Sequence, residues 1–101
     1  MNSNKELMFK SVIETLERKG TLSFKELKEE EPIKTHIDKN IYTSNSLIAT
    51  LSSSKYNNTD NTETCLFEKT ETKQGVKVVK LRQNYKQVKL YNDLYNKKEN
   101  N

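Results

Sequence analysis

Apolar residues near the start of the chain recur at intervals of three and four, the spacing of one face of an α-helix. They are Met8, Phe9, Val12, Ile13 and Leu16. Gly20 follows, and glycine is the residue that most often ends a helix, because it adopts left-handed backbone geometry without strain. The pattern predicts a long amphipathic helix over residues 5–19 that ends at this glycine.

The segment TLSFKELKEEEP predicts a second, short helix. Ser23 and Glu26 have the S-x-x-E spacing of a capping box, in which each side chain accepts from the backbone N–H of the other residue. Leu22 and Leu27 are placed to pack across this cap as a hydrophobic staple. Because Pro32 disfavours helical geometry at the residue before it, the helix is expected to end ahead of the proline.

Two further segments precede the middle of the chain. Residues 33–42 carry three isoleucines at intervals of four, which fits either a helical turn or an extended connector with buried anchors. The segment SNSLIATLSSSK that follows has an apolar stripe among serine, threonine and asparagine, and Thr43 or Ser44 can cap it. It predicts a third helix with a polar, nearly uncharged exposed face.

The next residues predict a loop and then a β-hairpin. Residues 55–64 are dense in asparagine, threonine and aspartate, which is typical of a loop. The stretch CLFEKTETKQGVKVVKLR then has strand-forming residues on both sides of a polar segment that contains Gly75. This pattern indicates a hairpin with a longer turn, in which residues 76–82 form the stronger strand.

The end of the chain predicts a basic, amphipathic fourth helix over residues 83–98. Its apolar side would be formed by Tyr85, Val88, Tyr91 and Tyr95. Two interpretations stay open, because such a face either packs on its own domain or binds a protein partner. Residues 1–4 and 99–101 are expected to be disordered ends.

Composition indicates one small intracellular domain. The chain has 101 residues, of which 32% are hydrophobic, enough for one modest core. Cys65 is the only cysteine and cannot form an internal disulfide, which fits a reducing compartment. No apolar run is long enough for a signal peptide or a membrane span, so we expect an intracellular protein, nuclear in a eukaryote, without a membrane partner.

Charge is distributed unevenly along the chain. Residues 1–72 hold 10 basic and 12 acidic side chains, whereas residues 73–101 hold 8 basic and 2 acidic ones. The net charge is therefore −2 in the first part and +6 in the second. A basic segment of this kind can contact the phosphates of nucleic acid.

No group of residues has the spacing of a catalytic or metal site. His36 stands without a second histidine, cysteine or carboxylate at ligand spacing, and Cys65 is expected to be a small buried hydrophobe rather than a nucleophile. The chain has two glycines, too far apart for a glycine-rich phosphate loop. We therefore expect a protein that is not an enzyme and has no metal, cofactor or small-molecule substrate.

Three helices followed by a hairpin, over residues 5–82, is the order of a winged helix-turn-helix domain, a small α+β fold. The chain also resembles the HARE-type helix-turn-helix modules of chromatin and transcription proteins. TLSFKEL lies where that family has a p-L-t-x-x-E-L pattern, and VVKL lies in the closing hairpin. The resemblance implies a DNA-binding or protein-docking module in chromatin, transcription, replication or telomere machinery, and it implies no catalysis.

On such a fold, the third helix and the hairpin are the predicted contacts to double-stranded DNA. The candidate residues are Asn45, Ser46, Thr50, Ser53, Lys55, Lys73, Lys77, Lys80 and Arg82. Because the third helix has no arginine, the commonest reader of guanine, we expect low sequence specificity. Two alternatives stay open: these side chains are merely solvated, or the protein is an adaptor that docks a partner through the tyrosine-bearing helix or the hairpin without touching DNA.

Overall fold

The structure, a computed structural model, describes residues 3–96 of the chain. These residues form six α-helices: α1 (Ser3–Lys19), α2 (Phe24–Lys28), α3 (Ile33–Asp38), α4 (Ser44–Ser52), α5 (Ser54–Asn57) and α6 (Lys89–Tyr95). They also form three strands, β1 (Leu22–Ser23), β2 (Phe67–Glu71) and β3 (Lys77–Leu81), and a 3₁₀ turn at Tyr85–Gln87. The expected α+β class is confirmed.

The long helix α1 carries the centre of the core. All five residues of the predicted apolar stripe are buried. The hydroxyl of Thr15, also buried, donates to the carbonyl of Ser11 at 2.7 Å, so that a polar group in the core keeps a hydrogen bond. Gly20 ends the helix with φ +82°, and its N–H donates to the carbonyl of Leu16 at 2.8 Å. Both the stripe and the glycine cap are confirmed.

The second helix, α2, begins at the predicted capping box. The Ser23 hydroxyl accepts from the Glu26 N–H at 3.0 Å, and the Glu26 carboxylate accepts from the Ser23 N–H at 2.9 Å. Leu27 is fully buried beneath this short helix. Residues 33–42, for which two conformations were open, contain the helix α3, and Ile33 at its start is buried.

The sheet has the strand order β1-β3-β2 and is antiparallel throughout. The predicted hairpin is confirmed as β2 and β3, with Gly75 at φ +81° in the turn. The third strand, β1, was not predicted, because two residues are too few to show the alternation of a strand. Leu22 of β1 lies opposite Val79, which joins the α1–α2 connection to the hairpin.

One expected loop begins as a helix. Residues 54–57 form α5, which the polar composition of the segment did not indicate. The Ser53 hydroxyl caps this turn by accepting from the Lys55 N–H at 3.2 Å, and Tyr56 is buried. The ring of Tyr56 packs edge-on against Phe9 at a centroid distance of 4.9 Å, which holds the turn on α1.

The predicted fourth helix is shorter than expected and is interrupted. Val88 has an extended backbone with ψ 138°, so the 3₁₀ turn and α6 are separate elements. Val88, Leu90 and Leu94 are buried and belong to the same core as α1. Ser3 and Asn4 lie in α1, whereas residues 1, 2 and 97–101 lie outside the described residues.

Candidate nucleic-acid interface

The helix α4 has one buried side and one polar side. The Thr43 hydroxyl caps it by accepting from the Ser46 N–H at 3.0 Å, as one of the two predicted caps. Leu47 and Leu51 are buried, whereas Asn45 and Ser46 are exposed. The exposed side of α4 therefore presents short hydroxyl and amide groups and no charge.

Two lysines flank the C-terminal end of α4. The Nζ atom of Lys55 lies 5.6 Å from the centroid of the Tyr56 ring, and that of Lys5, on α1, lies 5.5 Å from the same centroid. A cation over an aromatic face is attracted by the ring quadrupole. Two positive charges thus lie beside the buried ring at the end of α4, of which Lys55 was a predicted contact and Lys5 was not.

A groove runs along this side of the molecule between α1, the segment before α4, and α4 itself. Its volume is about 360 Å³. The lining residues are Asn4, Lys5, Met8, Asn40, Ile41, Tyr42, Thr43, Ser46 and Thr50. The structure therefore brings two predicted contacts, Ser46 and Thr50, together with Lys5, which the sequence placed in a different element.

The segment of chain that contains α4 carries no carboxylates. Residues 39–59 contain no aspartate and no glutamate. A carboxylate in this segment would repel the phosphates of a duplex that approached α4. Because the segment has none, it adds no such repulsion.

The positive charge of the hairpin is weaker in the folded structure than the count of lysines from residue 73 onwards indicates. Lys80 lies opposite Glu68 across the β2–β3 ladder, and their charged atoms are 3.9 Å apart. Lys77 lies opposite Glu71 in the same register. An exposed ion pair adds little to stability, but each carboxylate offsets the positive field of the lysine beside it. Lys73, in the hairpin turn, is exposed.

Arg82 directs its guanidinium into the molecule. It donates to the carbonyl oxygens of Thr59 at 3.0 Å, Asn61 at 3.4 Å and Cys65 at 3.5 Å. These bonds tie the loop that precedes β2 to the end of β3. Ser53, another predicted contact, is similarly engaged as the cap of α5. Both side chains have structural partners here, which the sequence pattern did not indicate.

The tyrosines at the end of the chain contact α1. The Tyr85 hydroxyl donates to the Glu17 carboxylate, and the Tyr95 hydroxyl donates to the Glu14 carboxylate at 3.1 Å. Burial, together with these carboxylates, raises the pKa of both phenols. Tyr91 stacks on Tyr95 at a centroid distance of 4.7 Å. Of the two open interpretations of the C-terminal segment, these contacts favour packing of its tyrosines on the chain's own domain.

The side chains of His36 and Cys65, which could in principle react or bind a metal, have structural partners. The His36 Nδ1 atom lies 3.1 Å from the Tyr42 hydroxyl and 3.4 Å from the Ser11 hydroxyl. Cys65 is fully buried, and burial raises the pKa of its thiol, which disfavours the reactive thiolate. Within residues 3–96, no group of three or more histidine, cysteine, aspartate or glutamate side chains could hold a metal ion.

A second groove, of about 660 Å³, lies between α2 and the hairpin. Val76 and Val78 contribute its apolar side, and Val76 is 47% exposed. Glu26, Glu29 and Glu30 line the opposite side together with Lys25, and Glu30 pairs with Lys19 at 3.8 Å. This surface combines exposed apolar area with negative charge, in a chain whose net charge is +4.

Comparisons of the chain with protein-family models, with curated proteins and with solved structures give no match. No helix within the described residues has the length and apolar character needed to cross a membrane. What the protein does therefore has to follow from its residues and their geometry.

Proposed function

We propose that this protein is a small winged-helix module that binds double-stranded DNA with low sequence specificity. In this proposal the exposed side of α4 and the two lysines around Tyr56 face the duplex. The module acts without catalysis or a cofactor, as an accessory subunit of a nuclear complex for chromatin, transcription or DNA maintenance.

The order of elements supports the winged-helix part of the proposal. A first helix, a short strand, two further helices, the helix α4, the short helix α5 and a closing hairpin follow one another along the chain. The short strand pairs with the second strand of the hairpin, so that the sheet order is β1-β3-β2. An order of this kind is compatible with a fold that presents a helix near the middle of the chain beside a hairpin wing.

The observation that carries the DNA-binding proposal is the surface around α4. It combines short polar side chains, Asn45, Ser46 and Thr50, with the ammonium groups of Lys5 and Lys55 and with a segment free of carboxylates. Hydroxyl, amide and ammonium groups are the usual donors to phosphate oxygens. Only short side chains on α4 could contact the base edges. The proposed binding therefore depends mainly on contacts to the phosphate backbone of the duplex.

A pair of matched variants tests which surface binds. One variant carries Lys5→Gln and Lys55→Gln, and the control carries Lys77→Gln and Lys80→Gln, so that each loses two positive charges. We expect the first to lose more affinity for a random-sequence duplex and to lower the salt-dependence slope by roughly two, since each phosphate contact contributes roughly 0.9. An equal or larger loss in the hairpin control would contradict the assignment to α4.

A second candidate function, docking of a protein partner, is favoured by the groove between α2 and the hairpin. Its valines and glutamates fit an extended segment in which lysine alternates with apolar residues. The test titrates a lysine–valine peptide into the protein and follows the methyl resonances of Val76 and Val78. Shifts with this peptide, and none with a glutamate–valine peptide, would support docking, whereas no shift with either would contradict it.

A further inference from the structure

The outer edge of β2 offers unpaired backbone groups. The Arg82 N–H donates to the Leu66 carbonyl at 2.9 Å, and the Thr72 N–H donates to the Val76 carbonyl at 2.8 Å, at the two ends of the β2–β3 ladder. In an antiparallel strand, the backbone N–H and C=O groups of successive residues point alternately to the two sides of the strand. The backbone groups of Lys69 and Glu71 therefore point away from β3. Within residues 3–96 no hydrogen bond reaches them.

This edge is accessible and short. Thr70 and Glu71 are exposed and Lys69 is half-buried, whereas the start of the strand is closed off because the Cys65 thiol donates to the Phe67 carbonyl at 3.4 Å. An edge strand with unpaired N–H and C=O groups is a template for a further strand. The side chains along the edge decide which strand fits.

We propose that the outer edge of β2 pairs with β2 of a second copy of this chain. The pairing is antiparallel, with Lys69 opposite Glu71 of the partner subunit and Glu71 opposite Lys69 of the partner subunit. Thr70 then faces Thr70 of the partner subunit across the two-fold axis. Opposite-charge pairs and threonine pairs are both favourable neighbours across antiparallel strands.

The sequence of the edge selects this register over its neighbours. A shift by two residues would set Lys69 against Lys69 of the partner subunit, or Glu71 against Glu71 of the partner subunit, which places like charges opposite each other. A shift by one residue would bring outward-pointing backbone groups of one strand against inward-pointing groups of the other. The remaining register is self-complementary, as a two-fold interface requires.

The contact area sets the expected strength. A strand of five residues buries less surface than a standard stable interface, and exposed ion pairs contribute little. We therefore expect a weak, concentration-dependent dimer. This inference does not rest on the proposed DNA binding, because different residues form the edge of β2 and the exposed side of α4.

Sedimentation equilibrium of the full chain, at concentrations up to about 1 mM, tests the pairing. The wild-type protein should shift from monomer towards dimer as its concentration rises. K69E and E71K should each dimerise roughly tenfold more weakly or worse, because each sets like charges opposite each other twice. An equimolar mixture of the two should recover the dimer, since the carboxylates of one variant then face the amines of the other.

Two further variants complete the experiment. The double variant K69E/E71K exchanges the two charges and should dimerise like the wild type, and K86E, which changes an exposed charge in the 3₁₀ turn, should leave dimerisation unchanged. Circular dichroism checks that every variant is folded. A wild-type chain that stays monomeric throughout, or a mixture of folded K69E and E71K that stays monomeric, would overturn the proposal.

Discussion

At the scale of single residues, Arg82 has the largest set of structural contacts among the predicted DNA-binding side chains. Its three hydrogen bonds to backbone carbonyls hold the loop before β2 against the end of β3. Removing a charged donor from a carbonyl lowers stability by more than the loss of an average hydrogen bond does. The position of the loop therefore depends on Arg82, which the sequence pattern indicated only as a positive charge for DNA contact.

We predict that Arg82→Met lowers the free energy of unfolding by about 1–2 kcal/mol, because the side-chain stem remains while the donors are lost. Lys80→Met is the control, since Lys80 is exposed and its ion pair with Glu68 should contribute less than about 1 kcal/mol. Urea denaturation of the three proteins measures the difference. Equal stability of the two variants would show that the carbonyls do not need the guanidinium.

The phenols of Tyr85 and Tyr95 couple stability to alkaline pH. Burial, and then the Glu17 and Glu14 carboxylates, raises the pKa of each above the ordinary value of about 10. The folded chain thus keeps protons that the unfolded chain releases above about pH 10. Their contribution to stability is complete below that pH and is lost as the pH rises towards the folded-state pKa values.

We predict that the wild-type free energy of unfolding falls above about pH 10, and that a Tyr85→Phe/Tyr95→Phe variant loses less of its stability over the same interval. Urea denaturation at several pH values between 8 and 11 measures both curves, and lysine titration affects the two proteins alike. If the curves ran parallel, the phenols would not be the groups that respond.

At the scale of elements, the burial of α6 favours one of the two interpretations of the C-terminal segment, packing on the chain's own domain. Leu94 is 4% exposed and lies in the core formed with α1, whereas its neighbour Asp93 is exposed and pairs with Lys89 at 3.2 Å. A helix that packs on its own domain should have a large energetic difference between these two positions.

We predict that Leu94→Ala lowers the free energy of unfolding by about 2–4 kcal/mol, as expected for a cavity in a core. Asp93→Ala, at the next residue, should change it by less than about 0.5 kcal/mol. Thermal or urea denaturation provides the comparison. Similar small effects of both substitutions would mean that α6 does not belong to the core and that its apolar side is open to a partner.

Sequence patterns predicted the elements with strong local signals and missed those that depend on distant contacts. The stripe of α1, the capping box of α2 and the turn at Gly75 are each contained in a short segment, and each is present. The strand β1 and the helix α5 have two and four residues, too few for any periodicity. They exist because β1 pairs with β3 and because Tyr56 packs against Phe9.

At the scale of the whole molecule, the distribution of charge differs from that along the chain. A count along the sequence finds an excess of lysine from residue 73 onwards, but β2 places Glu68 and Glu71 opposite two of those lysines. Conversely, Lys5 joins the surface of α4 only because α1 and α5 are neighbours in the fold. The polar face of α4 and the charge of Lys55 could be predicted from sequence, and the contribution of Lys5 could not.

Fluorescence anisotropy of a labelled random-sequence duplex, titrated with the protein over a series of salt concentrations, tests the proposed function most directly. If α4 and its two flanking lysines face the duplex, binding should weaken with salt along a log–log slope of roughly −2, which corresponds to two phosphates at roughly 0.9 each. No binding at low salt would contradict DNA recognition and leave α4 as a scaffold helix.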